Sequence, residues 1–141
     1  MDAAQILVGV LRGVLALTFV TMGVTHFVPS VRRTMLAMIP PSLRGTGWRS
    51  PTVLVAFTGL CELAGGIGLV LPWQVVGAEW MRWVVGVLLG VFLIAVFPAN
   101  AYAAAHPETF GRAAFPFWPR YLAQLALIAL VTLAAAPGVA G

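Results

Sequence analysis

The chain has 141 residues, of which 61% are hydrophobic and only 9% are charged, and its mean hydropathy is +1.00. A soluble domain of this length needs a mixed polar surface, which this composition cannot supply, so the sequence predicts an integral membrane protein. The net charge of +4 comes from arginines that do not cluster on a water-soluble face. This distribution argues against a nucleic-acid partner.

Four apolar segments follow one another along the chain. Each approaches or exceeds the roughly 20 residues that a helix needs to cross a bilayer. They cover residues 3–28, 51–71, 80–105 and 118–136. Membrane strands are excluded because the segments lack the alternation of a barrel, and every backbone group in lipid must be bonded internally. We therefore expect an all-α fold, an integral membrane four-helix bundle, with residues 1–141 forming a single transmembrane domain.

The loops between these segments predict the orientation of the chain. Residues 29–50 and 106–117, with their edges, carry most of the arginines, so both loops are expected on the cytoplasmic side, beside membrane lipids. The first loop also has apolar residues at helical spacing, which predict a short helix lying on the membrane surface. Pro40 and Pro41 should end that helix.

Two ionisable residues interrupt the apolar segments. Arg12 lies about nine residues into the first segment and Glu62 about eleven residues into the second, so both are expected near the middle of the membrane. An ionisable group at that depth costs roughly 2.5–3.5 kcal/mol on insertion scales, which favours a partner or a function. An Arg12–Glu62 ion pair could lock two helices together, or it could organise a ligand or proton site.

Further polar residues extend this candidate site. His26 shares roughly one face of the first helix with Arg12, and Thr58 precedes Glu62 by one turn. Asn100 lies near the end of the third helix, just after Pro98. A proline removes one backbone hydrogen bond, so the default expectation is a plain kink, although broken backbone in a membrane is also tolerated where it lines a cavity. These residues predict an interrupted polar column between the helices.

Metal and thiol chemistry have little support in the sequence. The only histidines are His26 and His106, too few to predict a metal site, and the single cysteine, Cys61, cannot form an internal disulfide. The many glycines are typical of close helix packing rather than of a nucleotide-binding loop.

Four stretches resemble the DoxX-like family of small bacterial four-helix membrane proteins. Besides the arginine of the first helix, they are GVTHF at residues 23–27, MIPP at 38–41, TGLCELAGG at 58–66 and FPAN at 97–100. The resemblance covers the first three helices and implies a bundle in the bacterial plasma membrane. It also implies a polar core made of the matching residues, which are Arg12, His26, Glu62 and Asn100.

The resemblance implies function only broadly. Some relatives are subunits of a thiosulfate:quinone oxidoreductase, and others are linked to redox stress or to membrane-protein assembly. The cysteine pairs of thiol-redox relatives are missing here, so that chemistry is not expected. We expect a redox-associated membrane subunit with a quinone-like or lipid-like ligand in the polar pocket. The first alternative is a non-catalytic accessory or assembly subunit of a larger membrane complex. The second, less well supported, is a small-molecule carrier. Four short helices leave little room for a transport path unless the protein forms a homo-oligomer.

Overall fold

The computed structural model describes residues 2–136, and within that range helices are connected by turns and loops, without strands. Six α-helices follow in order, joined by short turns of 3₁₀ helix: α1 (Ala3–Thr25), α2 (Pro29–Met38), α3 (Pro51–Val70), α4 (Trp80–Ala105), α5 (Pro107–Phe110) and α6 (Phe117–Ala135). Four of them, α1, α3, α4 and α6, are long and apolar enough to cross a membrane. The predicted all-α class and the four long helices are confirmed to within three residues at their ends.

The helix starts follow from local chemistry. Asp2 caps α1 by accepting a hydrogen bond from Gln5 N at 2.8 Å, and the Gln5 side chain accepts one from Asp2 N at 3.0 Å. Ser50 caps α3, whose first residue is Pro51. Proline suits this position because its missing N–H would have no partner there. Helix α1 ends at Thr25, before the predicted residue 28, because the chain turns into α2 at Pro29.

The first loop contains the predicted short helix, α2, which ends at Met38, with Ile39 between it and the two prolines. Arg44 folds back over its end, donating from Nε to Ile39 O at 2.8 Å and from Nη2 to Ala37 O at 2.9 Å. These bonds supply donors for carbonyl groups that a helix end leaves without intrahelical partners.

Helices α1 and α3 pack antiparallel at glycine contacts. A Cβ at Gly59 would lie 2.6 Å from the Cβ of His26, and one at Gly66 would lie 2.9 Å from Ala16 O. These contacts place the middle of α1 level with the end of α3. Relative to an arrangement in which the two helix middles are level, α1 is shifted along α3 by about nine residues, or roughly 14 Å. The end of α1 therefore lies well inside the bundle, and α2 covers the space that the shift leaves.

A small apolar core connects the four long helices. Its buried members are Leu15, Phe19, Leu69, Leu89, Leu93, Val131, Ala134 and Ala135. Most of the apolar surface nevertheless faces outward, since only 11–28% of the most apolar stretch of each long helix is buried in the bundle. Such a surface is consistent with a multi-pass membrane protein, whose outer faces are covered by lipid.

Candidate functional site

A cavity of about 730 Å³ lies between α1, α2, α3, α4 and α6, at the end of the bundle that α2 covers. Its walls are mainly apolar and include the methionines Met22, Met35 and Met38. Several polar side chains share this lining: Thr18, His26, Thr34, Thr58, Glu62, Asn100, Arg120 and Gln124. Four of the five predicted site residues, His26, Thr58, Glu62 and Asn100, are therefore brought together in one cavity.

His26 and Glu62 form the ion pair at one side of the cavity. The distance from His26 Nε2 to Glu62 Oε2 is 3.1 Å, and the two side chains are only 11% and 13% exposed. His26 Nδ1 lies 2.8 Å from Val55 O and 3.2 Å from Thr58 Oγ1. The close approach of Gly59 to His26 is what allows the imidazole to reach between the helices.

The contacts of His26 determine which of its ring nitrogens carries a hydrogen. A carbonyl oxygen only accepts hydrogen bonds, so Nδ1 carries a hydrogen that it donates to Val55 O. Nε2 then faces Glu62 Oε2 at 3.1 Å, so both polar atoms of the pair lie together at the cavity wall, within reach of a ligand.

Asn100 and Arg120 form the second polar pair of the cavity. Arg120 donates from Nη1 to Asn100 Oδ1 at 2.6 Å and from Nη2 to Ala113 O at 2.7 Å. These two bonds fix the guanidinium between α4 and α6, and Gln124 lies one turn further along α6.

Two atoms of these pairs lack an aligned partner. Glu62 Oε2 is buried without a well-directed hydrogen bond, despite its short distance to His26, and Arg120 Nε is buried without an acceptor. A buried polar atom left unsatisfied costs about 1–3 kcal/mol. A ligand that brings both a donor and an acceptor into the cavity would offset that cost.

The expected ion pair between Arg12 and Glu62 is wrong, and Arg12 does not line the cavity. Arg12 Nε donates instead to Ala134 O at 2.7 Å, in the last turn of α6. The reason is the shift of α1 along the bundle, which moves Arg12 about eight residues, or roughly 12 Å, from the level of Glu62. Arg12 supplies a donor to a carbonyl at a helix end, which is a structural role.

Arg12→Met is accordingly expected to weaken the bundle without changing the cavity. Ala134 O loses its donor, and a hydrogen bond between membrane helices contributes on the order of 1 kcal/mol. Unfolding in bicelles by titration with a denaturing detergent measures this loss. Thr132→Val is the control, because the Thr132 hydroxyl bonds only to Ile128 O of its own helix. An Arg12→Met protein that loses its cavity ligand while remaining folded would contradict this assignment.

The region around Pro98 is continuous helix, since α4 runs unbroken from Trp80 to Ala105. The cavity lies along this stretch, lined by Ala95, Val96 and Ala99 as well as Asn100. A cavity therefore lies beside the proline, and the helix there is unbroken.

The sequence reasoning missed Arg120 and Gln124. From sequence alone, Arg120 is one of the arginines at the edge of residues 106–117 that predict orientation, whereas the structure places it in the first turn of α6. Its spacing of four residues from Gln124 puts both on one helix face, and that polar pair in an apolar helix was the available signal.

Other reactive groups lie outside the cavity lining. Cys61, which precedes Glu62 in the sequence, is a free thiol and is partly buried. His106 Nδ1 bonds to Tyr102 O at 2.8 Å. Among residues 2–136, no group of three or more His, Cys, Asp or Glu side chains is arranged to hold a metal ion.

Comparison with known proteins supplies a family but no activity. No curated protein and no solved structure matches the chain. Residues 15–135 match the family described as "Domain of unknown function (DUF8561)". This match spans α1 from its middle through the end of α6 and includes every polar residue of the cavity. The chain therefore belongs to the DUF8561 family.

Proposed function

We propose that this chain is a redox-associated membrane subunit that holds a quinone-like or lipid-like molecule in the 730 Å³ cavity. The observation that carries the proposal is the pairing of His26–Glu62 and Asn100–Arg120 in one otherwise apolar cavity. Ligand sites of drug-sized molecules have volumes of about 300–1,000 Å³ and mainly apolar walls with a few placed polar groups. The cavity has that size and that lining.

The polar pairs favour a ligand with an oxygen-bearing head group. A hydroxyl on the ligand would donate to Glu62 Oε2, which lacks an aligned donor, and a carbonyl would accept from Arg120 Nε. A quinone and its quinol carry these groups and exchange protons with their surroundings. The His26–Glu62 pair would exchange a proton with the head group, while the methionine-rich wall adapts to a flexible apolar tail.

The arginine distribution supports an orientation in which both large loops lie in the cytoplasm. Six of the arginines lie at the end of the bundle that contains α2 and α5: Arg32, Arg33, Arg44, Arg49, Arg112 and Arg120. Positive charge concentrates on the cytoplasmic side of membrane proteins. The cavity would then open toward the inner leaflet.

Native mass spectrometry of protein extracted gently from its own membrane tests the proposal. We expect the wild-type protein to carry a small amphipathic molecule, identified by its released mass. In Glu62→Gln, the ligand should bind at least about tenfold more weakly, because a hydrogen bond to a charged group contributes roughly 1.5–3 kcal/mol.

Two control variants sharpen this experiment. Ala99→Phe adds bulk to the cavity wall and should displace the ligand without altering the polar pairs. Thr132→Val lies outside the cavity lining and should retain the ligand. An empty wild-type protein, or equal ligand occupancy in Glu62→Gln and Thr132→Val, would contradict a ligand site on the His26–Glu62 pair.

A non-catalytic accessory or assembly subunit is the second candidate function. The observation that favours it is an open small-residue face on α1, where a Cβ at Gly9 or Gly13 would meet nothing within 4 Å. Glycines four residues apart allow a partner helix to approach closely. In the same extraction, an empty chain held in a large complex that Glu62→Gln leaves intact would favour this function.

A further inference from the structure

A second cavity, of about 330 Å³, lies on the outer side of α2. It is lined by Phe27, Pro29, Arg32, Arg33, Leu36 and Thr52, none of which lines the larger cavity. Its four α2 residues are spaced i, i+3, i+4 and i+7, which makes one face of that helix. The opposite face of α2, with Val31, Thr34, Met35 and Met38, lines the larger cavity.

The two arginines of this second cavity have no carboxylate partner. Among residues 2–136 the one ion pair joins His26 to Glu62. Asp2 and Glu79 lie at the other end of the bundle, and Glu108 accepts a hydrogen bond from its neighbour Thr109. The second cavity therefore has two adjacent positive charges that no carboxylate of residues 2–136 neutralises.

The hydrogen-bonding state of the arginines points to a missing acceptor. Arg32 Nε is buried and has no hydrogen-bond partner, while Arg33 Nε donates to Pro29 O at 3.3 Å. Planar guanidinium groups match phosphate oxygens with paired N–H donors, more specifically than an ammonium group does. Thr52 adds a hydroxyl in the first turn of α3, where main-chain N–H groups lack intrahelical partners.

The rest of the second cavity fits an apolar chain attached to that anion. Phe27 and Leu36 form its apolar wall, and the Phe27 side chain is 46% exposed at the end of α1. The cavity lies where the membrane-length helices α1 and α3 meet the surface helix α2. In a membrane crossed by α1 and α3, this position would lie near the level of the lipid phosphates, and the acyl chains would run along the outer faces of the helices.

We propose that this second cavity binds the phosphate group of an anionic phospholipid, with Arg32 and Arg33 as the phosphate ligands. The site is independent of the molecule held in the larger cavity. Bound lipid would hold α2, which forms a wall of both cavities, against the ends of α1 and α3.

The test is lipid titration by native mass spectrometry on purified, delipidated protein in detergent. The probes are phosphatidylglycerol and phosphatidylcholine with identical acyl chains, with inorganic phosphate as the soluble competitor. We expect the wild type to bind one phosphatidylglycerol in preference to phosphatidylcholine, and Arg32→Gln and Arg33→Gln to weaken that binding about tenfold each. Millimolar inorganic phosphate should displace little of it.

Arg49→Gln is the matched control, because it removes the same charge from the same loop outside the cavity lining. Arg33 is exposed, so its variant is expected to fold even if Arg32→Gln does not. Equal binding by Arg33→Gln and Arg49→Gln would overturn the proposal. Complete displacement by inorganic phosphate would also overturn it, since the cavity would then take free phosphate rather than lipid.

Discussion

Gly59→Ala is expected to destabilise the bundle by about 2 kcal/mol relative to Gly13→Ala. Both changes add one Cβ within a helix, and both gain the roughly 1 kcal/mol by which alanine exceeds glycine in helix propensity. The Cβ at Gly59 would lie 2.6 Å from the Cβ of His26, whereas the one at Gly13 would meet nothing within 4 Å. The atom it would meet is next to the backbone, so the helices themselves must separate, and overpacking of this kind costs about 1–3 kcal/mol.

The measurement is unfolding of both variants in bicelles, followed by circular dichroism during titration with a denaturing detergent. Gly59→Ala should also release the cavity ligand, because separating α1 from α3 moves His26 away from Glu62. Equal stability of the two variants would show that α1 and α3 leave room for a Cβ at Gly59, which would contradict the register of these two helices.

His26→Leu and Glu62→Leu are expected to be strongly coupled. Removing one member of a buried ion pair leaves the other charged group without its partner, and typically costs about 3–5 kcal/mol. Because the two side chains are 11% and 13% exposed, we expect about 3 kcal/mol for His26→Leu. The double variant should be more stable than His26→Leu alone, since two apolar side chains leave no unpaired charge.

A double-mutant cycle measured by the same unfolding method gives the coupling energy directly. A value above about 1 kcal/mol would be expected for residues in one network, and values near zero for independent sites. Pairing His26→Leu with Thr132→Val provides the matched independent cycle. Additive effects for His26 and Glu62 would mean that their 3.1 Å contact contributes nothing to the packed state.

The secondary structure could be predicted from the sequence because its signals are local. Apolar length marked the four long helices, and the Pro40-Pro41 pair marked the end of α2. Each of these features acts within a few residues of the position it determines. The helix ends differed by up to three residues, mainly where α1 turns into α2.

The partners of the polar residues could not be predicted in the same way. Depth was counted from the ends of the apolar segments, which put Arg12 and Glu62 at one level. The actual register depends on where Gly59 and Gly66 allow α1 to approach α3, and that is a property of two surfaces in contact. His26, Thr58, Glu62 and Asn100 nevertheless share one cavity, because a few polar groups in an apolar bundle tend to face inward together.

The hydrogen bond from Arg12 to Ala134 joins residues 122 positions apart, and so the first long helix depends on the last. During synthesis, α1 leaves the ribosome while α6 has yet to be translated. Until α6 is in place, the Arg12 guanidinium lacks this acceptor, and the contact between the first and last long helices cannot form. Completion of the chain, rather than insertion of each helix in turn, would then be the event that closes the bundle.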